Sequence, residues 1–309
     1  MPLGGVDADD GRIMEMLSVD GRVSNREIAA QLSLSEVFVA NRIRSLIAAN
    51  VMRVVLQRSA IGIGRNAVPA LIEFYIPDPA IIGDVAGIIA AQPAIFAAYE
   101  TARRPEIVAQ CIARSRADLN RLVLTLAELL PDIVGITTLP ILELGQTGTE
   151  IGVVGKRMPV PRADRDVREK LIELLSEDGR QPINSLARQL SLSPTAARYR
   201  LNKLLSEPGM RIGVVYDAPA LGLTTWADVR LQIASHSIRA TMEALSQLEA
   251  LRVIAHISGS QNMALFVVVR TIEELDRFIN KHIRTIHTVR DFTVLRVPEI
   301  IKYDYNYIL

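Results

Sequence analysis

Residues 31–35 read Gln-Leu-Ser-Leu-Ser, and so do residues 189–193, an offset of 158 positions in a chain of 309. The same offset pairs Asp20-Gly21-Arg22 with Asp178-Gly179-Arg180, and Ile28, Ala29 and Leu32 with Leu186, Ala187 and Leu190. It also pairs Val39, Ile43, Leu46 and Ile47 with Ala197, Leu201, Leu204 and Leu205. A whole register of apolar positions recurring at one spacing marks a duplicated structural unit, so the chain is constrained to fold as two copies of one plan.

Local signals predict three short helices at the start of each copy. Ile13, Met16 and Leu17 recur at helical spacing, and Asp20-Gly21 stops that helix. Ser24 with Glu27 predicts a capping box at the head of a second helix, which carries Ile28, Ala29 and Leu32 on one face. Ser35 caps a third. In the second copy Ser193-Pro194 is a cap residue followed by proline at the first helical position. Two helices joined by a turn of three or four residues, after a first helix, make the helix-turn-helix arrangement.

Each copy then changes period. Strands are expected at 67–76 and 224–233, where Ala227, Val229, Leu231 and Ile233 alternate with Asp228, Arg230 and Gln232. Helical stretches follow at 80–91 and 237–249, then short strands at 94–101 with 106–112 and at 251–258 with 262–270. Leu119, Leu122, Leu126 and Leu129 mark another helix in one copy, Ile272, Leu275 and Ile279 in the other; strands at 133–142 and 288–297 close the copies. Strand-helix-strand-strand-helix-strand is the ferredoxin-like βαββαβ order. The predicted class is therefore α+β: two three-helix helix-turn-helix domains (1–60 and 164–216), each followed by a ferredoxin-like sensing domain (61–145 and 217–309). Residues 146–163, rich in glycine and proline near their ends, form the linker. The tail Tyr303-Asp304-Tyr305-Asn306-Tyr307 alternates as a strand does, which suits it to add an edge strand to a neighbour.

Composition excludes several classes. Hydrophobic residues make up 49% and charged residues 22%, enough for large cores and against disorder. Lys+Arg is 35 against Asp+Glu 34, so any grip on nucleic acid depends on a local patch, not a global excess. The single cysteine, Cys111, sits in the apolar run 107–112 and allows neither an intrachain disulfide nor a thiolate zinc cluster. No run of about 18 apolar residues predicts a membrane helix, the first twelve residues lack a signal-peptide pattern, and a cytoplasmic setting is expected. Gly62-Ile63-Gly64-Arg65-Asn66-Ala67 fits G-x-G-x-x-A, but Val68-Pro69 and a strand follow where a dinucleotide site needs a helix. The four histidines, all in the second half, have no helical metal-pair spacing. No metal, no cofactor and no catalytic residues are expected, and the chain reads as a non-enzyme.

The segments DGRVSNREIAAQLSLS and Asn41-Arg42-Ile43-Arg44-Ser45-Leu46 resemble the DNA-binding signature of the Lrp/AsnC (feast/famine) transcription regulators, as do Asp178-Gly179-Arg180 and LSLSPTAARYRLNKL at 190–204. HISGSQNMALFVVV at 256–269 resembles that family's glycine-containing turn between the middle strands. The likeness spans nearly the whole chain, in two copies where single members normally carry one. It implies a DNA-binding regulator responsive to a small metabolite such as an amino acid. It also implies that the two α+β units pair through their sheets within one chain, which thereby imitates a dimer and is prone to associate further as a homo-oligomer.

A recognition helix buries one face and offers the other to the major groove. The expected contacts to double-stranded DNA are Ser35, Asn41, Arg42 and Arg44 in the first copy, and Ser193, Thr195, Tyr199, Arg200 and Lys203 in the second. Cationic side chains neutralise phosphates and read guanine edges, and small hydroxyls at the helix start hold phosphate. The first copy departs from this pattern: Glu36 repels phosphate, and Val37 and Phe38 offer apolar surface. The expected effector site is the turn Ser258, Gly259, Ser260, Gln261 and Asn262, whose hydroxyls, amides and backbone donors suit a carboxylate and an amine. Thr101-Ala102-Arg103-Arg104-Pro105 stands at the matching place in the first copy. Siroheme decarboxylases resemble the same architecture, sometimes as fused copies, and remain the alternative; the basic outer face of Arg42, Arg200 and Lys203 weighs against them.

Overall fold

The computed structural model describes residues 6–59, 66–145, 151–152, 166–304 and 306–308. Asp7 and Asp10 cap α1 (Ala8–Val19) reciprocally, each carboxylate accepting the other's backbone N–H. Ser24 caps α2 (Asn25–Leu32), and Ser35 caps α3 (Glu36–Ala48). Their counterparts are α6 (Val167–Glu177), α7 (Ile183–Gln189) and α8 (Pro194–Leu205), the last capped by Ser193. Ser33 and Ser191 each turn the chain through a left-handed residue between the second and third helices.

Each third helix feeds a strand absent from the sequence expectations: β1 (Met52–Ser59) and β7 (Met210–Asp217). They pair antiparallel from Met52↔Tyr216 to Arg58↔Met210, forming a ribbon between the two helix-turn-helix units. Burying Val54, Leu56, Ile212 and Val214 of this ribbon against Ile13, Leu17, Leu171, Leu175 and their neighbours makes one apolar core from both units.

The sensing unit of the first half comprises β2 (Val68–Tyr75), α4 (Ile82–Ala90), β3 (Ile95–Glu100), β4 (Ile107–Ala113), α5 (Arg116–Leu129) and β5 (Gly135–Leu144). The second half repeats it as β8 (Thr225–Ile233), α9 (Ile238–Leu245), β9 (Leu251–Ile257), β10 (Met263–Val269), α10 (Ile272–Phe278) and β11 (Val289–Val297). Strand orders are β5-β2-β4-β3 and β11-β8-β10-β9, the same ferredoxin-like permutation twice. Each sheet packs one face on its own helices, giving separate cores around Phe74, Ile89 and Leu126 and around Leu231, Met242 and Ile279.

Their other faces meet. The edge β5 pairs with β9 (Ile141↔Ile257), and β12 (Ile300–Tyr303) pairs with β3 (Ile300↔Tyr99), so nine strands run continuously through both halves. The polar row of β8 is buried: Asp228 and Arg230 are each 2% exposed, because that row faces the other sheet. Each half also sends its last strand across to the other's ribbon strand. Short strand β6 (Ile151–Gly152) runs parallel to β7, and β13 (Tyr307–Ile308) runs parallel to β1. The tail does add an edge strand, to the other half of its own chain. Of the linker, only residues 151–152 are among the described residues; Gly62, Ile63, Gly64 and Arg65 also lie outside them.

Candidate DNA interface and sensing turn

The two Asp-Gly-Arg segments set how the helix-turn-helix units face one another. The Arg22 guanidinium donates to the backbone oxygens of Gly179 (2.6 Å) and Gln181 (3.2 Å). Arg180 returns the contact to Gly21 (2.8 Å) and Val23 (2.9 Å), with a further bond to Asn25 Oδ1. Gly21 N–H donates to Ile212 O, and Gly179 N–H to Val54 O. A Cβ on Gly21 would lie 2.9 Å from Ile212 O, and one on Gly179 would lie 3.1 Å from Val54 O. Only glycine permits this approach. Sequence reading took Asp20-Gly21 as a helix stop and both segments as part of a DNA-binding signature, and missed the clasp; their recurrence at the repeat offset was the available signal.

The two third helices then diverge. Arg42 sits half-buried, its Nε donating to Asp10 Oδ1 at 2.7 Å, its Nη2 to Asp10 Oδ2, and also to Asp7 Oδ2 at 3.3 Å. Burial pushes the Asp10 carboxyl up, but the Arg42 hydrogen bond, the Asp7 backbone N–H and the Arg42 charge together hold it below its usual value of 3.8. The Asp10 hydrogen bond in turn raises the Arg42 pKa. Arg44 donates to Asn41 Oδ1 at 3.0 Å on the exposed face. Ser35 Oγ accepts from Phe38 N, and Val37 and Phe38 stand 70% and 38% exposed.

On α8 no ion pair to Arg198, Arg200 or Lys203 occurs among the described residues. Thr195, Arg198, Tyr199, Arg200, Asn202 and Lys203 are all exposed, while Ser193 Oγ accepts from Ala196 N. Arg200 is the counterpart of Arg42. The counterpart of Asp10 is Arg168, whose guanidinium is engaged with Glu207. Glu207, which follows this helix in sequence, is thus engaged by Arg168, and among the described residues no ion pair draws in the basic face of α8.

The sensing turn is largely tied into its own sheet. Asn262 accepts from Ile233 N–H (2.9 Å) and donates to Ile233 O (2.8 Å). Gln261 Nε2 donates to Thr293 Oγ1 at 2.8 Å, and Ser258 N–H donates to Pro140 O of the first half. Gly259 and Ser260 are exposed and Ser258 is half-exposed. In the first half Glu106 does the work of Asn262, accepting from Ile76 N–H at 2.8 Å, and Thr101 Oγ1 donates to the Arg103 and Pro105 oxygens. A groove of about 210 Å³ is lined by Ile283, Arg284, Ile286, Val289, Arg290, Asp291 and Phe292. The Arg284 guanidinium sits 5.0 Å above the Phe292 ring. Sequence reading did not find this groove, since basic residues at a strand start carry no distinctive pattern.

Comparison with known proteins follows the same division. The family model for the AsnC-type helix-turn-helix domain matches residues 6–47 and 169–205, and that for the Lrp/AsnC ligand binding domain matches 227–307. An uncharacterized HTH-type transcriptional regulator of Pyrococcus abyssi is 23% identical over 141 residues, 45% of this chain and 89% of that protein. The solved structure of the siroheme decarboxylase NirDL is similar over 96% of each chain, with a TM-score of 0.69 at 14% identity. The same enzyme in complex with an iron-uroporphyrin III analogue gives 0.68 at 13%, again over 96% of each chain. This likeness corrects the expectation of a non-enzyme: the fold shared across nearly the whole chain is one on which a solved decarboxylase is built. A helix-turn-helix plus α+β plan therefore gives no ground for excluding catalysis.

Proposed function

This chain belongs to the Lrp/AsnC family, and from that premise we propose that it is a transcription regulator whose second helix-turn-helix unit supplies the main grip on duplex DNA. The observation that carries the reading is the free basic face of α8, Arg198, Arg200 and Lys203, set against the Asp10-tethered Arg42 of α3. Lys203 and Arg198 neutralise phosphates; Arg200, with Thr195 and Tyr199, faces the base edges. The regulator acts in the cytoplasm and answers to a small metabolite, an amino acid or related zwitterion, in the Arg284–Phe292 groove, with the turn Ser258, Gly259 and Ser260 as a second candidate contact. There a guanidinium meets a carboxylate and Asp291 meets an amine. Fluorescence anisotropy with the chain's own upstream duplex tests the grip. Arg200→Ala lowers affinity by about tenfold or more, whereas Arg42→Ala changes it by less than about threefold; equal losses contradict the reading.

A second reading is favoured by one observation, the whole-chain likeness to the siroheme decarboxylase NirDL. Here the pseudo-dimer binds a polycarboxylate tetrapyrrole and releases carbon dioxide from its acid side chains. Adding an iron-uroporphyrin to the purified chain tests it: a Soret shift with carbon dioxide release supports this reading, and an unchanged spectrum at micromolar concentrations removes it.

A further inference from the structure

The two halves meet through two surfaces that treat the pseudo-two-fold axis differently. Across the ribbon most contacts are reciprocal: Arg22 and Arg180 make matching bonds, as do Gly21 and Gly179. A half paired with a copy of itself would keep them. Between the sheets the contacts are not reciprocal. Glu73 on β2 and Arg230 on β8 hold equivalent positions in the two halves, and they meet each other, Oε1 to Nη1, at 3.3 Å with side chains 11% and 2% exposed. Arg230 also forks onto Asp228 at 2.7 and 2.8 Å, and Asp228 accepts from the Tyr99 hydroxyl of the first half at 2.8 Å. Tyr75 of the first half donates to Glu73. The cluster is closed only when one half of each kind is present.

We infer that the inter-sheet face of each half is an interaction surface that accepts the other half and rejects its own kind. Paired with itself, the first half would bury two Glu73 carboxylates against each other. The second half would oppose two Arg230 guanidiniums and leave each Asp228 without the Tyr99 hydroxyl. A buried charge without its partner costs far more than the intact pair gains, which is how such a cluster discriminates between partners. The ribbon adds an independent key. Gly213 lies where a Cβ would come 2.6 Å from Gln57 Oε1, and its counterpart in the first half is Val55. A ribbon of two β1 strands would force Val55 into that contact. Each molecule therefore presents one α3 and one α8, its DNA half-sites are unlike, and like halves of two copies do not pair through this face.

Charge reversal in the full chain tests this. Glu73→Arg opposes two cations, Arg230→Glu gathers three anions with Glu73 and Asp228, and the double variant restores one cation among two anions with the signs of positions 73 and 230 exchanged. Each single variant is expected to lower Tm by about 8 °C or more, and the double variant to recover at least half of the combined loss. Where a single variant does not fold, a soluble double variant with a cooperative melt is the recovery. Losses that add in the double variant, or singles melting within about 2 °C of the parent, overturn the inference. Two differently tagged copies of the uncharged E73Q/D228N/R230Q variant, made in one cell, should co-purify at least about fivefold more than wild-type copies; equal co-purification also overturns it.

Discussion

Arg42 and Arg200 occupy the same place on the same kind of helix, yet one is tethered and the other is free. The difference lies on a different helix: α1 carries Asp10 at the position where α6 carries Arg168. The helix proposed to face DNA is thus tuned from behind, by the charge its neighbour turns toward it. A recognition-helix pattern alone does not tell how much positive charge reaches the groove.

Exchanging the tether should break this comparison most severely. Arg168→Asp gives the second unit the first unit's acid, draws Arg200 inward, and should weaken duplex binding by about 30-fold, roughly 2 kcal/mol. The reverse change, Asp10→Asn, should raise affinity by about threefold in the same anisotropy assay while lowering stability by about 2 kcal/mol in urea melts, since it removes a buried charge-assisted pair. This stability is conditional on pH. The Asp10 pKa is lower folded than unfolded, so its contribution is complete above the ordinary carboxylate range and disappears as pH falls through the folded value. Melts of wild type and Asp10→Asn should differ at pH 7 and converge once the pH lies below the lowered value of the folded Asp10 carboxyl. A smaller effect, about 1.5 kcal/mol by urea melt, is expected from Gly21→Ala, whose Cβ meets a carbonyl at 2.9 Å; Gly179→Ala should cost somewhat less. The sensing turn should split its residues: Asn262→Ala loses about 1 kcal/mol because it strands Ile233, whereas Ser260→Ala stays within about 0.5 kcal/mol and lowers only the response to the metabolite.

The repeat made much of this fold legible. Helical spacing and the Ser35 and Ser193 caps are local signals, so the starts and buried faces of the third helices were readable. Strand alternation gave the sensing units for the same reason. What escaped reading depends on residues far apart in sequence. Strands β1 and β7 pair only with each other and with the two crossing tails, and the repeated Met-Arg at 52–53 and 210–211 was their one local trace. The alternation in β8 correctly separated two faces but could not say that Asp228 and Arg230 face another sheet, where partners 129 and 157 positions away satisfy them. Of the candidate site, Arg200, Lys203 and Tyr199 stand exposed as expected, while the Arg42 tether needed the third dimension.

The central claim, that one chain offers duplex DNA a single strong basic helix from a two-copy scaffold, is tested most directly by the salt dependence of binding. Plots of log affinity against log salt for wild type, Arg198→Ala/Lys203→Ala and Arg42→Ala/Arg44→Ala would be compared. Counterion release predicts that the α8 double variant flattens the slope by about 2, and that the α3 double variant changes it by less than about 1. Equal slope changes from the two helices, or no duplex binding by wild type at about 50 mM salt, would contradict the account.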